Sequence, residues 1–378
     1  MSEGRITTRK LQWAFWFVGL VFLLSMQAAY AAQRNFAQRF LLNAAGDITI
    51  ASNINVHCNI AQATDANTNC ANARSGTGNF TNNNHTMVNV DVDANAATFN
   101  SSSAFLNLPT GASVAFAGLY WAADSGAATR NRVLWTTPAN AVYSTVTAAV
   151  IDDSAAAGTA TTYQAFADVT ALVSSAGAGT YTVANIAATV NATNVYAGWS
   201  LVVVYRLASD PTRNMVVYDG YRRVAGAANV DITLTGFTTP PFGTVTSKLG
   251  VIAYDGDRGQ TEGAAGLQFG TSTAALSPVF NGLNPQTDIF NSSITSLNAQ
   301  VATRNPLYLN TLGYDADILS PNTQLPNGAT SALVRVSSSG ETIDLGVVTL
   351  ATNIFVPNIK DSFTKSVTDV NGGFVVPG

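Results

Sequence analysis

Ala167-Asp-Val-Thr-Ala-Leu-Val173, followed closely by Gly179-Thr-Tyr-Thr-Val183, is the stretch on which the fold turns. It reads as a turn, one helical turn and a strand. The first amides of a helix have no partner inside it, and Asp168 or Thr170 supplies a side-chain oxygen to cap them. Leu172 and Val173 are expected to tuck under a sheet. Gly179 frees the backbone to re-enter that sheet, and Thr180, Tyr181, Thr182 and Val183 then alternate across it.

Period-two alternation recurs on both sides of this segment. In Met87-Val-Asn-Val-Asp-Val-Asp93, Val88, Val90 and Val92 share one face, and Asn89, Asp91 and Asp93 the other. Ser113–Trp121, Tyr181–Ile186, Ser200–Tyr205, Met215–Tyr218, Asp231–Thr235 and Ser331–Val336 also read as strands, and most are bounded by Gly, Pro, Asn or Asp. Charged residues are 11% of the chain, and Thr, Val, Asn, Ser and Gly abound where helix formers are scarce. The expected fold class is all-β. The turn, helical turn and Gly-led strand occur together in jelly-roll sandwiches, so a jelly-roll-like β-sandwich is the expected architecture. Helix is expected only at 167–174 and 293–300, less than about 12% of the mature chain against the usual third. Pro109-Thr-Gly111 with Gly118 and Asp124 is echoed by Pro241-Phe-Gly243 with Gly250 and Asp255. Two lobes, 32–238 and 239–355, would explain the echo.

The N-terminus has three zones. Arg5, Arg9 and Lys10 precede an apolar run, Leu11 to Met26, and Ala29-Tyr30-Ala31 fits a small-x-small cleavage site. The run falls short of the roughly 20 residues of a membrane span. Residues 1–31 therefore read as a signal peptide, with Ala32 as the mature start and no integral membrane segment after cleavage. Cleavage lowers Lys+Arg from 18 to 15 and Asp+Glu from 22 to 21, a net charge of −6. A sparsely charged, acidic chain does not suit nucleic acid. Cys58 and Cys70, an even pair in an exported chain, are expected to form a disulfide. At the other end, 356–378 contain a strand, the turn Asn371-Gly-Gly373, a second strand and Pro377-Gly378, the opening of a unit that lacks its remaining strands.

Three Asp-x-Asp pairs occur, at 91/93, 255/257 and 315/317. In an extended chain such a pair aims both carboxylates to one side, and hard oxygen ligands suit calcium. The expected calcium ligands are Asp255 and Asp257, in a Gly-permitted loop, with Glu262, Asp315 and Asp317 completing the set. Asp91 and Asp93 read as the outward face of a strand. A glycosidase needs two carboxylates at a set separation. Asp219, Asp255, Asp257 and Glu262 are available, but their spacing selects none of them. His57 and His85 read as loop residues, and no Gly-x-Ser-x-Gly elbow or His-Glu-x-x-His helix occurs. Trp121 and Trp199 fall in apolar strands and read as core. Trp135, near Arg130 and Arg132, is the expected exposed platform for a sugar ring.

Gly46-Asp-Ile-Thr-Ile50, Val90-Asp-Val-Asp93, Thr98-Phe-Asn-Ser-Ser102, Ala117-Gly-Leu-Tyr-Trp121, Tyr196–Tyr205 and Leu312-Gly-Tyr-Asp-Ala-Asp317 resemble the N-terminal domain of large bacterial surface proteins bearing repeats of "domain of unknown function 11". Thr364–Gly373 with Pro377-Gly378 resembles the opening of one such repeat, an immunoglobulin-like sandwich. The resemblance covers most of 44–378. It implies a secreted or cell-surface protein whose partners are surface glycans or other surface proteins. The expected role is a non-catalytic structural or adhesive module at the head of a repeat protein. The alternative is a secreted carbohydrate-binding or carbohydrate-cleaving protein.

Overall fold

A computed structural model describes Met1 and residues 29–61, 69–154 and 162–356. Most of the expected signal peptide, and all but Val356 of the expected repeat, lie outside the described residues. Strand makes up 48% and helix 6%, so the chain is all-β. The first part comprises β1 (Ala29–Ala32), β2 (Ala37–Ile54), β3 (Val56–Cys58), β4 (Met87–Asn89), β5 (Ser101–Leu106), β6 (Ser113–Asp124), β7 (Arg132–Thr137), β8 (Asn140–Thr147), β9 (Val150–Asp153), β10 (Thr162–Asp168), β11 (Gly179–Ala184) and β12 (Ala197–Arg206). Two short helices join them, α1 (Cys70–Ser75) and α2 (Thr170–Ala176). The second part comprises β13 (Thr212–Val224), β14 (Asn229–Thr235), β15 (Ser247–Tyr254), β16 (Leu267–Gly270), β17 (Ser277–Pro278), β18 (Ile294–Ser296), β19 (Ala299–Gln300), β20 (Arg304–Asn305), β21 (Tyr314–Leu319), β22 (Ser331–Ser337) and β23 (Ile343–Asn353).

The strand orders reveal a duplication. In the first sandwich an inner sheet β2-β12-β6-β10 faces an outer sheet β5-β11-β7-β8. In the second, β13-β23-β15-β21 faces β14-β22-β16-β17. Taking each sandwich's eight strands in chain order, both read 1-8-3-6 and 2-7-4-5. That is the double Greek-key order of a jelly roll. The echoed Pro/Gly segments precede β6 and β15, the third strand of each roll. The changeover falls at residues 207–211 rather than between 238 and 239, because β13 and β14 already belong to the second roll.

The inner sheets are continuous through β2. Residues 46–54 of β2 pair with β12, and 37–45 pair with β13. The strand changes partner at Gly46, where a Cβ would lie 2.0 Å from the Tyr205 carbonyl oxygen. The two halves of this sheet also share a core. Leu119 and Trp121 point into the first sandwich, while Tyr120 and Ala122 point towards the second. The shared layer holds Tyr120, Tyr196, Val202, Val217, Tyr254, Tyr314 and Val347. Strands buried on both faces read as continuous apolar runs, which explains Ser200-Leu-Val-Val-Val-Tyr205. Polar tips inside the layer find partners, as buried tyrosines require. The Tyr254 hydroxyl donates to Gln164 Oε1 at 2.7 Å, and Tyr314 Oη lies 2.9 Å from Ser200 Oγ.

Gly198 shows how close the layer is. A Cβ there would sit 2.6 Å from the Tyr314 ring and 2.8 Å from the backbone oxygen of Asn53. Overpacking of this kind costs about 1–3 kcal/mol. Gly198→Ala is therefore expected to lower the melting temperature by a few degrees in a thermal melt. An unchanged melt would mean that the two rolls are not locked together here.

The deciding segment folds largely as read. Asp168 Oδ1 accepts from the Thr170 amide at 2.9 Å, and Val173 is fully buried. The helix starts three residues later than expected, because Ala167 and Asp168 still pair with β6. Leu172 does not tuck under; it is 48% exposed, on the outer side of a two-turn helix whose inner side is Val173. The expected helix at 293–300 is instead the hairpin β18–β19. Leu297 and Asn298 both take positive φ, at 49° and 67°, the geometry of a tight two-residue hairpin turn. Cys58 and Cys70 form the disulfide. It lies buried in the first core, together with Ala73, Phe80 and Met87. Among the described residues no helix is long and apolar enough to cross a membrane.

Candidate functional site: an acidic cavity at the seam

Loops from both rolls meet around a polar cavity of about 400 Å³. Asn83 and Asn84 come from the connection between β3 and β4, and Asn194 from the β11–β12 loop. The second roll supplies Asp255, Asp257 and Gln260 from the β15–β16 loop and Glu341 from the β22–β23 turn. Asp255 carries a φ of +67°, a conformation that Asp and Asn tolerate better than most residues. Next to it, a Cβ on Gly256 would lie 2.4 Å from the Phe290 carbonyl oxygen, so the loop passes where only glycine fits. Asn82 bridges the rolls behind the cavity. Its backbone amide donates to Asp257 Oδ1 at 3.0 Å and its Nδ2 to Asp255 Oδ1 at 3.3 Å. Asn83 Nδ2 donates to Asp257 Oδ2 at 2.6 Å.

The five acids expected to bind calcium separate into different settings. Asp255 and Asp257 line the cavity. Glu262 is turned inwards and accepts the amides of Ile289 at 3.1 Å and Phe290 at 2.9 Å. Asp315 and Asp317 lie not on a loop but on β21, fully buried. Their Oδ1 atoms accept the amides of Ser293 at 2.9 Å and Thr295 at 3.0 Å, which tie β18 to β21. Every one of the five is thus held by a backbone amide or by Asn82. Asp288 is held similarly, by the Gly259 amide at 2.9 Å.

Among the described residues none of these acids forms a salt bridge, although Arg258 acts on Asp288 and Arg223 on Asp255 from further off. Burial is the first cause of every shift. It pushes Asp255, Asp257, Glu262 and Asp317 up to about 7, and Glu341 up to about 10. Asp315 is raised by burial and then by Asp317. Neighbouring acids add to burial: Asp257 and Glu262 raise Glu341, and Asp344 raises Asp255. Several buried oxygens have no hydrogen-bond partner, namely Asp315 Oδ2, Asp317 Oδ2, Asp288 Oδ1, Asn82 Oδ1 and both oxygens of Glu341. An unpaired buried acceptor is costly and calls for a proton or a cation. Among the described residues, no three carboxylates bring oxygens within 4.8 Å of one another; the only such trio is His57, Cys58 and Cys70, which the disulfide closes. An ion at this seam would therefore take two carboxylates at most, with amide, carbonyl or water oxygens completing its shell.

The other nominated residues lie elsewhere. Trp135 is not an exposed platform. It is 1% exposed and packs on Tyr181 at 5.1 Å, because its position on β7 faces the core. Trp121 and Trp199 are fully buried, as expected of core. Asp219 lies away from the seam as a buried anchor, gripped by Arg34 at 3.0 Å and Arg39 at 2.7 Å. Of the two histidines read as loop residues, His85 does lie in the β3–β4 connection, whereas His57 lies on β3; both are fully buried, and His57 Nε2 lies 2.8 Å from the Asn310 carbonyl oxygen. Burial lowers His57 to about 3. Asp91 and Asp93 clasp their own loop, Asp91 Oδ1 accepting from Ser101 Oγ at 2.6 Å and Asp93 Oδ1 from Thr98 Oγ1 at 2.8 Å. Glu341 was not foreseen. Its signal was its place in a Ser-Gly-Glu turn between two strong strands, in a chain with only two glutamates after residue 31. Asn83, Asn84 and Asn194 gave no signal, because asparagine is common throughout.

Set against known proteins, the chain matches no family model, and no curated protein matches it. Fold and site together define a tandem jelly-roll protein with an acidic, amide-rich cavity where its two rolls meet.

Proposed function

We propose that this protein is an exported cell-surface module, structural or adhesive and without catalysis, that holds a glycan in the seam cavity. One observation carries the proposal. The cavity is walled by Asn83, Asn84, Asn194, Gln260, Asp255, Asp257 and Glu341, side chains from both rolls that suit sugar hydroxyls. Carboxylates accept hydroxyl protons, and amides both donate and accept. Neither histidine lines the cavity: both are fully buried, and His85 Nδ1 is engaged with the Thr81 carbonyl oxygen at 2.8 Å. We include calcium in this proposal: the unpaired buried oxygens around the 255–262 loop suit a hard cation, which would neutralise the seam and rigidify both walls. The signal peptide read at residues 1–31 and the resemblance to heads of bacterial repeat proteins support a surface location.

A second proposal rests on a different observation. Asp255 and Asp257 line the cavity with pKa values near 7, where a carboxyl serves as a general acid. One experiment separates the two. The secreted chain is passed over immobilised glycans in calcium, and both retained protein and released sugar are measured. Retention without release is expected, with Asn194→Ala weakening it at least tenfold. Steady release of reducing sugar would replace the adhesive role with the cleaving one. Neither retention nor release on any glycan would remove the cavity as a ligand site.

A further inference from the structure

A second cavity, of about 300 Å³, opens on the first roll and shares no residue with the seam. Its wall includes Phe99, whose side chain is 52% exposed. The loop carrying that ring is pinned by another residue of the lining. Asn185, at a left-handed φ of 60°, accepts the Phe99 amide at 2.8 Å and donates Nδ2 to the Ala97 carbonyl oxygen at 3.0 Å. The ring is therefore presented by a fixed backbone rather than by a loose tip. Leu134 forms an apolar floor, and Thr129 and Thr145 bring exposed hydroxyls. Arg132 also lines the cavity; it is exposed and meets no acid among the described residues. Nearby Arg130 differs, being paired with Asp153 at 2.9 Å.

We propose that this cavity binds a carboxylated pyranose, the sugar stacked on Phe99 and its carboxylate on Arg132. Each part of the lining answers one part of such a ligand. An aromatic face takes the C–H face of a sugar ring. A guanidinium fork grips a carboxylate with two parallel hydrogen bonds. Threonine hydroxyls serve the ring hydroxyls as donor or acceptor. The acid group is the discriminating element. The chain is net acidic, so its surface at large repels an anion, and an unpaired arginine at a cavity reverses that locally. A neutral sugar would leave the guanidinium unused. A simple anion would leave the aromatic wall and the floor unused. The volume is that of a small-ligand site.

The test titrates the full secreted chain with a glucuronic-acid-terminated oligosaccharide, an N-acetylneuraminic-acid-terminated one and a neutral glucose counterpart, in physiological salt, by calorimetry or saturation-transfer NMR. The acidic sugars are expected to bind at least tenfold more tightly than the neutral one, and their ranking identifies which acid the site prefers. Arg132→Gln should erase that preference, and Phe99→Ala should abolish binding of all three. Both side chains are exposed, so both variants are expected to melt like the parent, which a thermal scan checks. Asp257→Asn, at the seam, should leave these affinities unchanged, so failure here and failure of the seam proposal are distinguishable. Equal affinity for acidic and neutral sugars, acid binding that survives Arg132→Gln, or competition by inorganic phosphate at the acidic sugar's own affinity would overturn the assignment.

Discussion

In a chelator, the melting temperature of this protein should rise as the pH falls from 8 to about 5.5, by ~10 °C or more. The sign follows from the buried carboxyls. Asp255, Asp257, Glu262 and Asp317 have folded-state pKa values near 7, and Glu341 near 10, against about 4 in the unfolded chain. Between those limits the folded state binds more protons. Stability is therefore fully present below about pH 4; the four groups near 7 lose theirs as pH rises through 7, and Glu341 loses its share only as pH approaches 10. Each pKa unit is worth about 1.4 kcal/mol, and ~1 kcal/mol moves the melt of a protein this size by ~2–4 °C. One group opposes the trend. His57 is held near 3, so it withdraws stability as pH falls below about 6.5. A single histidine does not outweigh five carboxyls, so stability should go on rising below pH 6.5 and turn over only near about pH 4.

Calcium should produce the same stabilisation without the pH change. At pH 8, calcium at one hundred times its dissociation constant would add about 2.7 kcal/mol. Asp257→Asn should reduce both the calcium effect and the pH slope. Identical melts in calcium and chelator at pH 8 would eliminate the ion. A melt that is flat from pH 8 to 5.5 would mean that these acids are more hydrated than their burial indicates.

The second large effect is expected at Arg223. Asp344 is fully buried in the layer between the rolls, and Arg223 grips it with two bonds, of 2.9 and 2.8 Å. The hydroxyls of Tyr221, Tyr196 and Thr162 also donate to it, at 3.2, 3.4 and 3.2 Å. Arg223→Ala would leave that carboxylate buried without a counter-charge, which typically costs about 3–5 kcal/mol. The guanidinium is 37% exposed, so water relieves part of the loss and the lower end of the range is expected. Denaturant unfolding should show it. Adding Asp344→Asn to Arg223→Ala should recover part of the stability, because the amide keeps hydrogen bonds to the tyrosines without the charge. A double variant no more stable than the single one would show that Arg223 acts through packing of its stem instead.

Alternation alone made most strands legible: Ser113–Trp121, Ser200–Tyr205 and Ser331–Val336 all fall in β6, β12 and β22. The Asp168–Gly179 signature located the helical turn, because capping and glycine chemistry are local. Ser293–Gln300 misled, because a run of good strand and helix formers carries no signal for a Leu-Asn turn. Its outcome depended on Asp315 and Asp317 reaching across to anchor the amides of Ser293 and Thr295.

The site was legible in part. Asp255 and Asp257 stood out by spacing and by their glycines, and both line the cavity. Asp315 and Asp317 showed the same spacing, yet they lie within a strand buried on both faces. A pair that alternates in sequence faces one way in either setting, and only packing decides whether water or protein lies there. Trp135 was misplaced for the same reason: period two identifies two faces without saying which one is covered.

By itself the sequence determined the all-β class, the jelly-roll turn chemistry and the pairing of its two cysteines, all of which rest on interactions between near neighbours or on composition. Tertiary structure alone decided that two rolls share one inner layer. It also decided that Asn83, Asn194, Asp257 and Glu341 meet at a cavity, although 258 residues separate the first from the last. The physical reason is the partner switch of β2 at Gly46, which folds one sheet's two halves face to face. Contacts made across that fold depend on register and burial, and no local pattern in the chain encodes them.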